Sequence, residues 1–168
     1  RPNPIVQMGL FLDGNGIPLA FDLTPGNTNE QKTLLPLEKR IMRDFELSKL
    51  VVCTDAGLSS KTNRSFNSFA NRAYVTVQSL KKLKQHLRDW ALDPQAWHLN
   101  GSSTVFNLNE IDLEDNTAVY TKERWIHENG LEERLIISFS PKYKRYQETI
   151  RGRQIERACH QIEVKAPA

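Results

Sequence analysis

Residues Pro4 to Leu12 (PIVQMGLFL) form an apolar stretch with scattered polar positions, the pattern of a strand of mixed burial. Asp13-Gly14-Asn15-Gly16 follows with residues that tolerate positive φ, the chemistry of a tight hairpin turn. Ile17 to Leu23 (IPLAFDL) is the returning strand, where Pro18 marks an edge or a strand start. After the turn Thr24-Pro25-Gly26-Asn27, Thr28 or Asn29 caps a helix over about Glu30 to Phe45. Leu34, Leu35, Leu37, Ile41 and Phe45 recur along it near the helical period, and Pro36 delays its start to Leu35.

The stretch KLVVCTDAGLSSKTN comes next, and its apolar run Leu50 to Cys53 is too short for a helix. Unbroken by polar residues, it predicts a strand covered on both faces, with Cys53 as a small buried hydrophobe. Ser59 or Ser60 caps a short helix over Asn63 to Ala70, and Tyr74 to Val77 is another strand. A hairpin followed by strand–helix–strand units predicts an α/β fold, a mixed sheet with helices packed against it.

Lys81 to Leu92 (KKLKQHLRDWAL) predicts a basic, loosely amphipathic helix. From Asp93 to Ser140 the style changes. The apolar stretches Ser103–Leu108, Ala118–Tyr120 and Leu131–Phe139 alternate with DNT and ENG breaks, which predicts a small antiparallel insertion. Pro141 is expected to end the last strand, and Tyr143 to Val164 to form one long basic helix weakened by Gly152. There is no internal repeat and no low-complexity tract.

Composition narrows this picture. In 168 residues, 39% hydrophobic and 26% charged is a globular balance, and no apolar run approaches the roughly 18 residues of a membrane span. The two cysteines, Cys53 and Cys159, lack CxxC spacing, which argues against a disulfide framework or a thiolate zinc site and for a reducing, cytoplasmic setting. The chain opens in RPNP without a Met or a signal sequence, so it is expected to be an excised piece of something longer. Net charge is only +3, but Lys142 to Lys165 holds seven Lys/Arg against three Glu. That concentration suits a polyanionic partner, and equally a solvated helix face.

Asp55 is the leading site candidate. Side chains just beyond the carboxyl ends of strands face the ligand crevice of open α/β sheets, and an Asp there followed by small residues leaves room for a divalent cation and an anionic substrate. A lone acid at a strand end is also common without a metal. Lys81, Lys82, Lys84 and Arg88, with Arg145, Arg151, Arg153 and Arg157, are candidate phosphate contacts or simply solvated helix faces. Trp90, Trp97 and Trp125 suit base stacking or a core, with a core role expected for at least two. His86, His98, His127 and His160 stand singly and form no ligand pair. Ser60 and Asn63 are expected to cap the helix after Asp55.

Three segments, LFLDGNGIPLAFDLTPGNTNE, KLVVCTDAGLSS and SFSPKYKRYQETIRGRQIERA, together resemble the catalytic region of bacterial insertion-sequence DDE transposases. The likeness covers nearly the whole chain, and the order of the motifs carries it. It implies an RNase H-like mixed sheet flanked by helices, with a β-rich insertion and a long C-terminal basic helix. Residues 1–80 would be a partial core and 81–168 the insertion subdomain.

Carried over by position, Asp55 corresponds to the second metal-binding acid, and Asp13 falls in the hairpin turn. The first acid is expected upstream of Arg1. Glu156, a helical Glu beside Arg in RQIERA, resembles the third acid and is a candidate for it; the other reading is that its helix belongs to the insertion in such proteins, whose catalytic Glu comes later. The resemblance further implies Mg²⁺ or Mn²⁺ in the complete protein, double-stranded insertion-sequence ends as substrate, a homodimeric synaptic complex, and a nucleoid-associated life with no membrane. The chain alone would then be inactive. A non-catalytic nucleic-acid-binding or assembly module, a degenerate relic of such an enzyme, is the rival reading, and another RNase H-like nuclease a third.

Overall fold

The computed structural model describes residues 5–165, with side chains to residue 162. Pro4, the first residue of the expected opening strand, and the side chains of Glu163 and Lys165 lie outside that description. The chain is α/β and divides into two compact units, one running to Gln85 and taking in Asn129–Leu131, the other comprising His86–Glu128 and the residues from Glu132 on.

In the first unit, β1 (Val6–Leu12) and β2 (Pro18–Pro25) form an antiparallel hairpin in which Leu10 pairs with Phe21. Asp13 closes its turn: Oδ1 accepts from the backbone N–H groups of Asn15 and Ile17, each at 2.8 Å. Those bonds, Ile17 foremost, hold the carboxyl below its ordinary range. A 3-10 turn at Glu30–Lys32, capped by Asn29, leads into α1 (Leu34–Asp44). Pro36 sits in the first turn of α1, where a backbone N–H has no intrahelical partner, so the helix begins at Leu34 despite it. Leu34, Leu37 and Ile41 are buried, at roughly 1.5–3 kcal/mol of transfer free energy for each large aliphatic side chain.

β3 (Leu50–Thr54) runs parallel to β4 (Arg72–Thr76), joined by α2 (Lys61–Asn67), with Val52 opposite Tyr74. Two expectations fail here. The hairpin and the parallel pair are separate two-stranded sheets and not one mixed sheet. β3 is covered on one face only: Leu50 and Val52 are buried, whereas Val51 is 65% exposed and Cys53 is exposed. The alternation is that of a half-covered strand. Four uninterrupted apolar residues cannot reveal it, because a two-faced run and a one-faced run read alike when both faces are apolar. The hairpin likewise exposes Val6, Met8, Leu10, Leu12, Phe21 and Leu23.

A second 3-10 turn, Leu80–Lys82, replaces the start of the expected basic helix. Leu83 is extended (ψ 149°), so α3 spans only Gln85–Leu92.

The second unit holds an antiparallel sheet in the order β6-β5-β7-β8, built from β5 (Trp97–Leu99), β6 (Val105–Phe106), β7 (Tyr120–Glu128) and β8 (Leu131–Phe139). β5 and most of β7 escape the sequence pattern because polar residues interrupt them. Asn129 (φ 56°) and Gly130 (φ 78°) make the β7–β8 turn, both in the left-handed region a two-residue hairpin needs. Trp97, Ala118 and Tyr120 form the core, with Phe106, Ile137 and Phe139 packed on it. β8 ends at Phe139, just before Pro141, as expected, and Pro141 has a second role. It is the first residue of α4 (Pro141–Lys165), a position at which proline's fixed φ suits a helix. No helix among the described residues is long and apolar enough to cross a membrane.

Candidate functional site

Asp55 directly follows Thr54, the last residue of β3, and is exposed. Its backbone is extended and its Oδ1 accepts from Gly57 N–H at 2.9 Å, so it caps a third 3-10 turn, Ala56–Leu58. Thr54 and Thr76 tie the ends of the two parallel strands through their hydroxyls at 3.0 Å, and Thr76 Oγ1 donates to the Asp55 carbonyl at 3.2 Å. The carboxylate therefore stands at the carboxyl edge of a parallel pair, on a fixed backbone.

A second acid stands beside it. A Cβ built on Gly57 would lie 3.2 Å from Asp55 Oδ1 and 3.2 Å from Glu30 Oε2, so one methyl there would touch both carboxylates. Glu30 opens the 3-10 turn after β2 and is exposed. Sequence reading gives Glu30 only as the start of the expected helix, since a juxtaposition across 25 positions has no local signature.

The turns are held together from α2. Ser60 caps that helix as expected, its Oγ accepting from Asn63 N–H at 3.2 Å. The Asn63 side chain does something else: its Nδ2 donates to Gln31 O at 3.0 Å and to Leu58 O at 2.9 Å. One turn further on, Asn67 Nδ2 donates to both oxygens of Glu38, at 2.9 and 3.0 Å, linking α2 to α1. Glu38 is fully buried, and desolvation raises its pKa above the ordinary value against the opposing pull of Asn67 and Arg72. A small cavity beneath the strand ends is lined by Val52, Thr54, Leu58, Asn63, Asn67 and Tyr74 among others.

The candidate phosphate contacts fall into three settings. Lys81 and Lys82 are exposed on the 3-10 turn of the first unit, and Lys84 is exposed just before α3. Arg88 is half-buried on α3. On α4, Arg151, Arg153 and Arg157 are exposed on a stretch whose neighbours are nearly all exposed too. Arg145 differs: its guanidinium donates to Leu113 O and Asn116 Oδ1, with Glu114 at 3.6 Å, so those donors are spent fastening the 113–116 loop.

The three tryptophans also separate. Trp97 is 3% exposed, and Trp90 lies under Lys122 Nζ (5.1 Å) and the Arg124 guanidinium (5.4 Å). Lys122 is itself buried against Trp97 (4.9 Å) and donates to Asp93 O at 2.7 Å. Burial lowers its pKa. Trp125 is 65% exposed on β7. His86 and His127 are exposed, His98 is half-buried on β5, and His160 is exposed on α4.

Comparison of the chain with protein-family models, with curated proteins and with solved structures finds no match.

Proposed function

We propose that this chain is a segment of the catalytic region of a DDE-type DNA transposase, RNase H-like in fold, in which Asp55 holds a divalent cation over the DNA backbone. The observation that carries the reading is the setting of Asp55, an exposed carboxylate immediately beyond the carboxyl end of a parallel strand, oriented by Gly57 N–H. Crevices at that edge are where α/β sheets bind ligands.

The donors suit a hard cation. Mg²⁺ takes oxygen ligands and is ordinarily held by one or two protein carboxylates, with water and substrate phosphate completing its octahedron. Asp55 offers one carboxylate and Glu30 stands beside it. Among the described residues no group of three His, Cys, Asp or Glu is arranged to hold a metal, so these acids contribute to a site rather than enclose one. Bound there, Mg²⁺ or Mn²⁺ would polarise the scissile phosphate and acidify an attacking water or hydroxyl. The chain's own part is to fix the carboxylate's position before DNA arrives.

The RNase H-like assignment is supported by the order hairpin, helix, strand, helix, parallel strand in the first unit. The exposed apolar residues of β1, β2 and β3 suit a sheet that further chain completes and covers. Binding to double-stranded DNA, at the insertion-sequence ends of a bacterial nucleoid, is supported by exposed Arg151, Arg153 and Arg157. Exposed Trp125 suits stacking on a base. A homodimeric synaptic complex belongs to the same reading. A non-catalytic DNA-binding module is the second reading, favoured by the exposed basic stretch of α4, which needs no metal.

The two readings separate on one substitution. In the full-length protein, Asp55→Ala abolishes Mg²⁺-dependent strand cleavage while circular dichroism and DNA affinity stay close to the parent's. Undiminished cleavage would remove Asp55 from the chemistry.

A further inference from the structure

Asn63 is 3% exposed and spends both protons of its side-chain amide on main-chain carbonyls from two different turns. Gln31 O belongs to the turn that Glu30 opens, and Leu58 O closes the turn that Asp55 caps. The first of these bonds spans 32 positions of sequence, so it is a tertiary tie and not a helix cap. The amide is in turn steadied by its own backbone N–H on Ser60 Oγ. Few side chains can do this. A carboxylate has no proton to donate and would face two carbonyl dipoles, a serine hydroxyl has one proton and a shorter reach, and glutamine adds a methylene in a buried slot.

We infer that Asn63 is the positioning residue of the Asp55 site: it locks the Asp55 turn against the Glu30 turn and so sets where the Asp55 carboxylate stands. This rests on the reading of Asp55 as a cation-holding group and goes beyond it, since Asn63 touches neither cation nor DNA. Among the described residues, the Asp55 turn is also anchored by the Gly57 N–H bond within it and by Thr76, and neither of these ties it to the Glu30 turn. Holding a ligand within a fraction of an ångström requires supporting hydrogen bonds of this kind, and their removal typically costs about 10–100-fold in metal affinity.

Asn67 supplies the control. It is equally buried, at 2% exposed, lies on the same helix, and also donates two hydrogen bonds, but to Glu38 and not to either turn. The test is Mn²⁺ affinity by electron paramagnetic resonance, on the full-length protein and on its Asp55→Asn, Asn63→Ala and Asn67→Ala variants, at a temperature where each is folded by circular dichroism.

Asn63→Ala is expected to raise the Mn²⁺ dissociation constant at least tenfold, in the direction of Asp55→Asn, while Asn67→Ala lowers Tm but shifts affinity less than twofold. Where Asn63→Ala does not fold, Asn63→Ser, too short to span both carbonyls, gives the same comparison. Parent-like affinity in Asn63→Ala alongside loss in Asp55→Asn overturns the positioning role and leaves the Asp55 reading standing. Equal losses in Asn63→Ala and Asn67→Ala overturn it as well, because general loosening then explains both. If no Asp55-dependent Mn²⁺ binding occurs, the Asp55 reading itself falls and the inference with it.

Discussion

Glu38 shows what a single side chain contributes away from the candidate site. Its carboxyl is fully buried between α1 and α2, held by Asn67 and facing Arg72 of β4, whose Nε donates to Phe66 O at 2.8 Å. Desolvation raises its native pKa, so the folded chain keeps this proton to a higher pH than the unfolded chain does. The resulting stabilisation is complete below the unfolded carboxylate value of about 4.3 and is lost as pH rises through the native value. Glu38→Gln stays neutral throughout. Its Tm is therefore expected to exceed the parent's at pH 8 and the gap to close towards pH 4, as followed by thermal melts across that range; a gap independent of pH would contradict the assignment. Some of this residue-scale picture is legible in the sequence. Asp13 reads as a turn residue from DGNG, and its carboxylate does close the turn. Ser60 reads as a cap and is one. Asn63 reads as a cap too, and its tie to Gln31 is invisible because sequence patterns report neighbours a turn apart and not partners 32 positions away.

At the scale of elements, periodicity performs well where one face is polar and poorly where neither is. The buried face of α1 follows Leu34, Leu37 and Ile41, and β8 has the bounds its apolar run suggests. β3 fails because Leu50 to Cys53 are all apolar and only the structure shows that Val51 and Cys53 face outward. α3 starts late because Leu83 leaves the helical region, which no residue type in KKLK announces. α4 runs to Lys165 with almost every side chain from Arg151 to Ile162 exposed, so its charges are available to a ligand. In a DNA-binding role Arg151, Arg153 and Arg157 each displace about one counterion. Replacing all three with Ala is expected to flatten the log–log dependence of affinity on salt by up to about 2.7, from 0.9 per phosphate contact. Fluorescence anisotropy at several salt concentrations measures the slope, and an unchanged slope would take α4 off the DNA. Arg145→Ala, by contrast, acts on the 113–116 loop that its guanidinium fastens.

At the scale of the whole molecule, two units have different characters. The first holds a hairpin and a parallel pair as separate two-stranded sheets, with apolar side chains exposed on each. The second is an antiparallel sheet around Trp97 and Tyr120. The change of style from Asp93 onward in the sequence reflects this contrast, since strand–helix alternation gives way to short strands and turns. The mixed sheet did not follow, because pairing between the hairpin and β3 is a matter of long-range register on which local patterns are silent. The functional account needs less than a complete sheet. It needs one carboxylate fixed at a strand's carboxyl edge, beside a second acid, within reach of hard-cation chemistry. The most direct test is a crystal structure of the full-length protein grown with Mn²⁺, using its anomalous signal to locate the ion. The account predicts a peak about 2.1 Å from an Asp55 carboxylate oxygen, within the range of octahedral hard-cation sites. A saturating Mn²⁺ structure in which the ion binds elsewhere and Asp55 holds none would contradict it.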